Sequence, residues 1–367
     1  MILMNDFRAE PDALRRDMAA AVDRVLASGW YVLGKEVESF ERQWASACGV
    51  AHGVGTGNGL DAIEVALRAL DIGPGDEVVT TPMTAFASVL AIVRAGATPV
   101  LADIDPETAL LAPESVRRVL SSRTRALLLV HLYGQVRGME EWRHVCAERD
   151  IALIEDCAQS HFARWRGRAA GAFGRAGAYS FYPTKNLGAP GDAGMLVTDD
   201  AALAARAARL RNYGQSERYH HPELGLNSRL DELHAAILSA RLSWAAKFTE
   251  RRREIAAAYR SEMANRHVRP LAEPCEPEAH VYHLFVVRCE ERARFQQHLS
   301  SRGVQTLLHY PVPVHQQTPC KNVARDPKGL PNAERHARTC VSLPCHPQMS
   351  EEDVGTVVAA VNTFATR

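Results

Sequence analysis

The residues best suited to chemistry cluster around one lysine. Lys185 stands in Ser180-Phe181-Tyr182-Pro183-Thr184-Lys185-Asn186-Leu187-Gly188, where a strand pattern gives way to a loop containing Pro and Gly. A lysine is ordinarily a solvated surface charge. Here the neighbours are aromatic or small and no other lysine is near. Burial would disfavour the ammonium form and lower its pKa, the condition a Schiff-base lysine needs. Asp156 lies just past a strand predicted at Ile151 to Ile154, with Gln159 and His161 close behind. A carboxylate at that end of a parallel strand faces the crevice where open α/β sheets bind ligands. The same position also suits a simple helix cap. A third feature is the turn Gly53-Val54-Gly55-Thr56-Gly57-Asn58-Gly59, which opens directly onto a helical pattern. Free N–H groups and the helix dipole would favour an anion there. The turn lacks the Gly-Lys-Ser/Thr ending of a nucleotide P-loop and is a poor dinucleotide fingerprint. It reads equally well as a tight strand-to-helix connection.

The elements that must hold these groups alternate in type. Pro11 to Ala47 is helical in pattern, broken at Ser28-Gly29-Trp30. Leu60 to Leu70 carries apolar residues at helical spacing, and Glu77 to Thr81 is strand-like. Phe86 to Arg94 is helical, Thr98 to Asp103 strand-like and Pro113 to Leu120 helical. Ala126 to His131 is a continuous apolar run, as a strand covered on both faces should be. Glu140 to Arg149 is helical, and Ala176 to Tyr182 and Gly194 to Thr198 are further strands. Alternation of this kind predicts an α/β domain with a largely parallel sheet. Tyr213 to Asn227 is polar and aperiodic, an exposed loop. Leu230 to Tyr259 reads as one long helix leading to a smaller domain.

Bulk properties narrow the class. The chain has 367 residues, 46% hydrophobic and 23% charged, and its 43 basic residues equal its 43 acidic ones. That length suggests two domains. The charge balance gives no footprint for nucleic acid. The eight cysteines form no Cys-x-x-Cys pair, and a disulfide framework is implausible at this spacing. No metal site, secretory signal or membrane span is expected, so the expected location is the cytoplasm.

Together the blocks resemble the nucleotide-sugar aminotransferase family typified by DegT and StrS, within the aspartate-aminotransferase fold (fold type I). The matching stretches run in order along nearly the whole chain. They are Gly29-Trp30-Tyr31-Val32-Leu33-Gly34, Gly73-Pro74-Gly75-Asp76-Glu77-Val78, Ala95-Gly96-Ala97-Thr98-Pro99-Val100, His131-Leu132-Tyr133-Gly134-Gln135, the Asp156-x-x-Gln159 pair, Ser180 and Lys185, Gly225-Leu226-Asn227-Ser228-Arg229-Leu230-Asp231-Glu232, His309-Tyr310-Pro311-Val312-Pro313-Val314-His315 and Ser342-Leu343-Pro344. The resemblance implies a large domain, 1–245, with a mostly parallel central sheet and a smaller α+β domain, 246–367. It implies pyridoxal 5'-phosphate (PLP) carried on Lys185, with Asp156 at the pyridine nitrogen, Gln159 at the phenolic oxygen and Phe86 stacked on the ring. Ser180 and backbone groups of Gly57, Asn58 and Gly59 would hold the phosphate. Asn227 would reach it from the neighbouring subunit of a homodimer. Tyr182, His309, Tyr310 and His315 would border the sugar nucleotide.

The chain departs from the family pattern at several points. Phe162 follows His161 where Gly is usual, Ala193 stands in Gly191-Asp192-Ala193-Gly194 where Gly is usual, Leu226 replaces Tyr, His234 replaces Gln, and Arg175 replaces Asp. None removes a group the chemistry requires. The expected activity is transfer of an amine from L-glutamate to a dTDP-linked 3-keto-6-deoxyhexose. C4 amination is an alternative with the same catalytic residues. A dehydratase branch that has His in place of the lysine is disfavoured by Lys185. A PLP-fold regulatory or binding protein without turnover would be expected to have lost part of the Asp156, Gln159, Ser180 and Lys185 set.

Overall fold

The computed structural model describes residues 1–366. Its strands, in chain order, are β1 (His52–Thr56), β2 (Glu77–Thr80), β3 (Thr98–Leu101), β4 (Thr124–Val130), β5 (Ala152–Asp156), β6 (Arg164–Trp165), β7 (Arg168–Ala169), β8 (Ala176–Ser180), β9 (Gly194–Thr198), β10 (Arg269–Pro270), β11 (Phe285–Arg288), β12 (Ala324–Arg325) and β13 (Cys340–Leu343). The helices are α1 (Asp12–Ser28), α2 (Lys35–Cys48), α3 (Gly59–Ala69), α4 (Phe86–Arg94), α5 (Pro113–Val119), α6 (Met139–Arg149), α7 (Ala201–Leu210), α8 (Glu232–Leu242), α9 (Ala245–Glu262), α10 (Arg292–Ser300), α11 (Pro331–Thr339) and α12 (Glu351–Asn362).

Eight strands form the central sheet in the order β1-β9-β8-β5-β4-β2-β3-β12. Strands β8, β5, β4, β2, β3 and β12 run parallel, and β9 alone is antiparallel to its neighbours. The alternation of side chains along each strand builds two cores. Leu127 and Leu129 of β4 pack with Phe40 and Trp44 of α2 and Trp142 of α6. Ala126 and Leu128 of the same strand face the other way, towards Ile63 and Leu67 of α3, Ile92 of α4 and Leu203 of α7. Burying each large apolar side chain stabilises by about 2 kcal/mol. Both sheet faces are covered, which explains the unbroken apolar run seen in the sequence.

A second, antiparallel sheet, β10-β11-β13, has its own core. Ile255 and Tyr259 of α9 meet Phe285, Phe295, Val357 and Val361 there. Several contacts cross the anticipated boundary between residues 245 and 246. β12 pairs with β3 at the edge of the central sheet, and Ile2 bridges to Val304. The long helix expected over 230–259 is two helices. α8 ends at Leu242 and α9 begins at Ala245, with Ser243 folding its hydroxyl back onto Ala240 O at 2.8 Å. Among the described residues no helix is long and apolar enough to cross a membrane.

Candidate active site

Parallel pairing carries the chemical residues to one edge of the sheet. Asp156 is the last residue of β5 rather than one beyond it, and Ser180 is the last of β8. Across the next two pairings Ser180 and Thr56 both lie opposite Gly194. The turn after β1 therefore passes directly over Ser180. It does so at a separation only glycine allows. A Cβ on Gly59 would come within 2.6 Å of Ser180 Cβ, and one on Gly194 within 2.3 Å of the Asn58 carbonyl.

Asn58 caps α3 by accepting the Asp61 N–H at 2.8 Å. The N–H groups of Gly59 and Leu60 thus open the helix beside Ser180, where partial positive charge favours an anion. Gly57 differs from expectation. Its N–H donates to Ser228 Oγ at 2.9 Å, so it is spent inside the chain.

Asp156 is buried and held by two donors. Ser88 Oγ donates to Oδ2 at 2.7 Å and Ala158 N–H to Oδ1 at 3.1 Å. Ser88 sits in the first turn of α4, which begins at Phe86, a residue 38% exposed and thus open to a ligand. Lys185 is half-buried in the loop after β8, where its own N–H closes a turn onto Tyr182 O at 2.9 Å. Burial pulls the Lys185 ammonium down to about 8, partly opposed by the negative charge of Asp156. An amine in that range is a usable base and nucleophile near neutral pH.

Gln159 is buried and oriented at both ends. Its Oε1 accepts the Tyr133 N–H at 2.6 Å, and its Nε2 donates to Tyr310 Oη at 3.3 Å. Burial, with Asp156 nearby, pushes the Tyr310 hydroxyl up to about 12. His309 contacts Ser342 Oγ at 2.8 Å, and burial together with the Lys185 charge pulls it down to about 4. His315 is buried against Glu334 at 3.0 Å and forms no bond to Gln159, Tyr310 or Lys185. Tyr182 is half exposed at the rim. Asn227 is exposed and its side chain has no hydrogen bond among the described residues.

Three participants were missed by the sequence reading or given no role in it. His161 packs against Trp44, Tyr179 and Phe181, and burial beside Lys185 pulls it down to about 3. His283 contacts Asn186 Oδ1 at 3.1 Å, and the same causes lower it. Both imidazoles therefore stay neutral around the amine. Ser88 is the third. His161 stood out in sequence beside Asp156 and Gln159 but was given no role, whereas no local pattern marks Ser88 or His283, whose proximity to Asp156 and Lys185 arises only on folding.

His131, Glu155 and Cys157 also converge, with ligand-type atoms within 4.8 Å. Glu155 is already occupied. It accepts from Gly171, Phe173 and Gly174 N–H groups and meets His131 Nε2 at 2.9 Å, so it pins the segment after β7.

The profile of the DegT/DnrJ/EryC1/StrS aminotransferase family matches residues 12–362. The chain is 45% identical over 364 residues to the dTDP-3-amino-3,6-dideoxy-alpha-D-galactopyranose transaminase of Aneurinibacillus thermoaerophilus, covering 99% of each chain. It is similar in structure to S. venezuelae DesV, solved with a ketimine intermediate, at TM-score 0.96 and 43% identity, covering 100% of this chain and 99% of that one. NtdA from Bacillus subtilis, solved with bound cofactor PMP, matches at TM-score 0.89 and 27% identity, covering 96% of this chain and 82% of that one.

Proposed function

The chain belongs to the DegT/DnrJ/EryC1/StrS aminotransferase family, and we propose that it moves an amino group from L-glutamate to C3 of a dTDP-linked 3-keto-6-deoxyhexose, using PLP on Lys185. One arrangement carries the chemistry: Lys185 stands in the loop after β8, the parallel neighbour of β5, whose last residue, Asp156, is a buried, doubly hydrogen-bonded carboxylate. The A. thermoaerophilus relative, a dTDP-3-amino-sugar transaminase by name, supports C3 over C4.

The residues fit PLP. The turn over Ser180 is so close that Gly59 and Gly194 leave no room for a Cβ, and it ends at a helix N-terminus whose first N–H groups suit a phosphate. Asp156 is a negative acceptor suited to a protonated ring nitrogen. When bound, the cofactor supplies an electron sink for the carbon that carries nitrogen.

The protein's own groups do the rest. Ser88 and the Ala158 N–H fix both oxygens of Asp156, so the carboxylate keeps its direction. Lys185 Nζ, once free, takes a proton from the donor's α-carbon and returns one on the other side of the transfer. Neutral His161 and His283 add no positive charge that would further depress the amine. Gln159, fixed by Tyr133 and Tyr310, offers a contact for the ring's phenolic oxygen. Phe86 is positioned in this reading to stack on the ring. Tyr182, His309, Tyr310 and His315 form the proposed sugar-nucleotide border. Asn227, exposed and unbonded, is proposed to reach a second subunit's phosphate in a homodimer.

The deciding experiment incubates holoenzyme with L-glutamate and either the 3-keto or the 4-keto dTDP-6-deoxyhexose. NMR of the product should place the new amine at C3. An amine at C4 overturns the regiochemistry, and no amine from either sugar overturns the substrate class.

A further inference from the structure

The turn that would cradle phosphate is tied to a distant part of the chain. Ser228 Oγ donates to Asp61 Oδ2 at 2.7 Å and accepts the Gly57 N–H at 2.9 Å. A hydroxyl has one hydrogen, so the Asp61 carboxylate dictates where it points. The oxygen lone pairs then face Gly57. Asp61 itself is fixed from three further sides. Asn58 Nδ2 donates to Oδ2 at 3.0 Å, Asn58 Oδ1 accepts the Asp61 N–H, and Arg94 Nη1 lies 3.1 Å from Oδ1. Ser228 and Asp61 are both buried.

This arrangement has two effects on an anion at the head of α3. It withdraws the Gly57 N–H from that anion, which leaves Gly59 and Leu60 as the first-turn donors. It also counters an electrostatic conflict. Asp61 is a carboxylate in the first turn of a helix whose N-terminus should receive a dianion, and like charges there repel. Arg94 and the Ser228 hydroxyl both turn towards that carboxylate.

We propose that Ser228 is a positioning residue that, through Asp61 and Gly57, sets the α3 turn to receive the cofactor's phosphate and joins that turn to the segment bearing Asn227. Ser228 N–H also bonds Arg211 O at 2.9 Å, and Arg211 Nη1 donates to Gly55 O at 2.7 Å. The strand before the turn and the segment after Asn227 are thereby one hydrogen-bonded unit. This rests on the PLP reading above.

The test titrates apoprotein with PLP and, separately, with pyridoxal, which lacks the phosphate. Ser228→Ala should weaken PLP about fivefold, the loss of one oriented hydrogen bond, and leave pyridoxal unchanged. Ser228→Thr, which keeps the hydroxyl, should restore PLP binding. Equal weakening of both ligands, or no restoration by Thr, overturns the proposal in favour of general packing. Wild-type affinity in Ser228→Ala overturns it as well. Failure of the wild-type chain to bind PLP would instead sink the cofactor reading itself.

Discussion

Ser88 Oγ reaches Asp156 Oδ2 at 2.7 Å, and both residues are buried. The serine is itself in contact with Thr84 Oγ1 at 2.7 Å, so the loop after β2 and the first turn of α4 together orient the carboxylate. Ser88→Ala deletes one of two donors to Asp156 at a cost of about 1 kcal/mol. PLP affinity, read by absorbance titration, should fall about fivefold, with a smaller effect for Ser88→Thr.

Lys185→Ala removes the amine proposed to carry the proton. Turnover should drop by about a thousandfold, the scale of positioned acid–base catalysis, while circular dichroism stays at the wild-type signal. In wild type, borohydride followed by peptide mass analysis should find the cofactor on Lys185. A label on any other residue refutes the assignment.

The pH dependence of cofactor capture follows from the direction of the lysine shift. Burial lowers the Lys185 amine from 10.5 to about 8. Below that value the amine is protonated and has no lone pair to offer. The rate at which apoprotein takes up PLP should therefore rise with pH and level off above about 8. A midpoint near 10.5 would mark an amine open to water.

Asn227→Ala should weaken PLP about fivefold through loss of one hydrogen bond, with no change in the apoprotein's melting temperature. Retention of PLP by a single isolated subunit, as tight as in wild type, would remove the cross-subunit contact.

Phe162 occupies a left-handed backbone position, φ +69°, where its ring stands edge-on to Trp44 with centroids 5.2 Å apart. Packing here outweighs a conformation that costs a non-glycine residue about 1–2 kcal/mol. Phe162→Ala keeps the strain and loses the contact, so it should destabilise by about 2–3 kcal/mol. Phe162→Gly should be less harmful than Ala by about 1 kcal/mol. Urea unfolding of the two variants decides it, and the reverse order would refute the strain.

Much of this was legible in the sequence where local pattern decides structure. α4 and β9 fall at the expected residues, Phe86 to Arg94 and Gly194 to Thr198, because an apolar helix and a buried strand both announce themselves by spacing. The break between α8 and α9 was not legible. Neither Pro nor Gly lies at Ser243-Trp244, and Trp244 takes its place by donating its indole N–H to Asp17 at 3.4 Å, a tertiary contact. In the site, Lys185, Asp156 and Gln159 stood out through their neighbours in sequence. Ser88, His283 and Ser228 did not, since each acts through a group that only the fold brings near. The Gly57 expectation missed for the same reason, because Ser228 takes its N–H from far along the chain.

Strand β12, two residues drawn from the last part of the chain, covers the β3 edge of the central sheet. During synthesis from the N-terminus, that edge lies bare until residue 325 has left the ribosome. Nascent chains halted short of it would present unpaired backbone to one another. C-terminal truncations before β12 should accordingly be recovered as aggregates rather than as a trimmed but soluble enzyme.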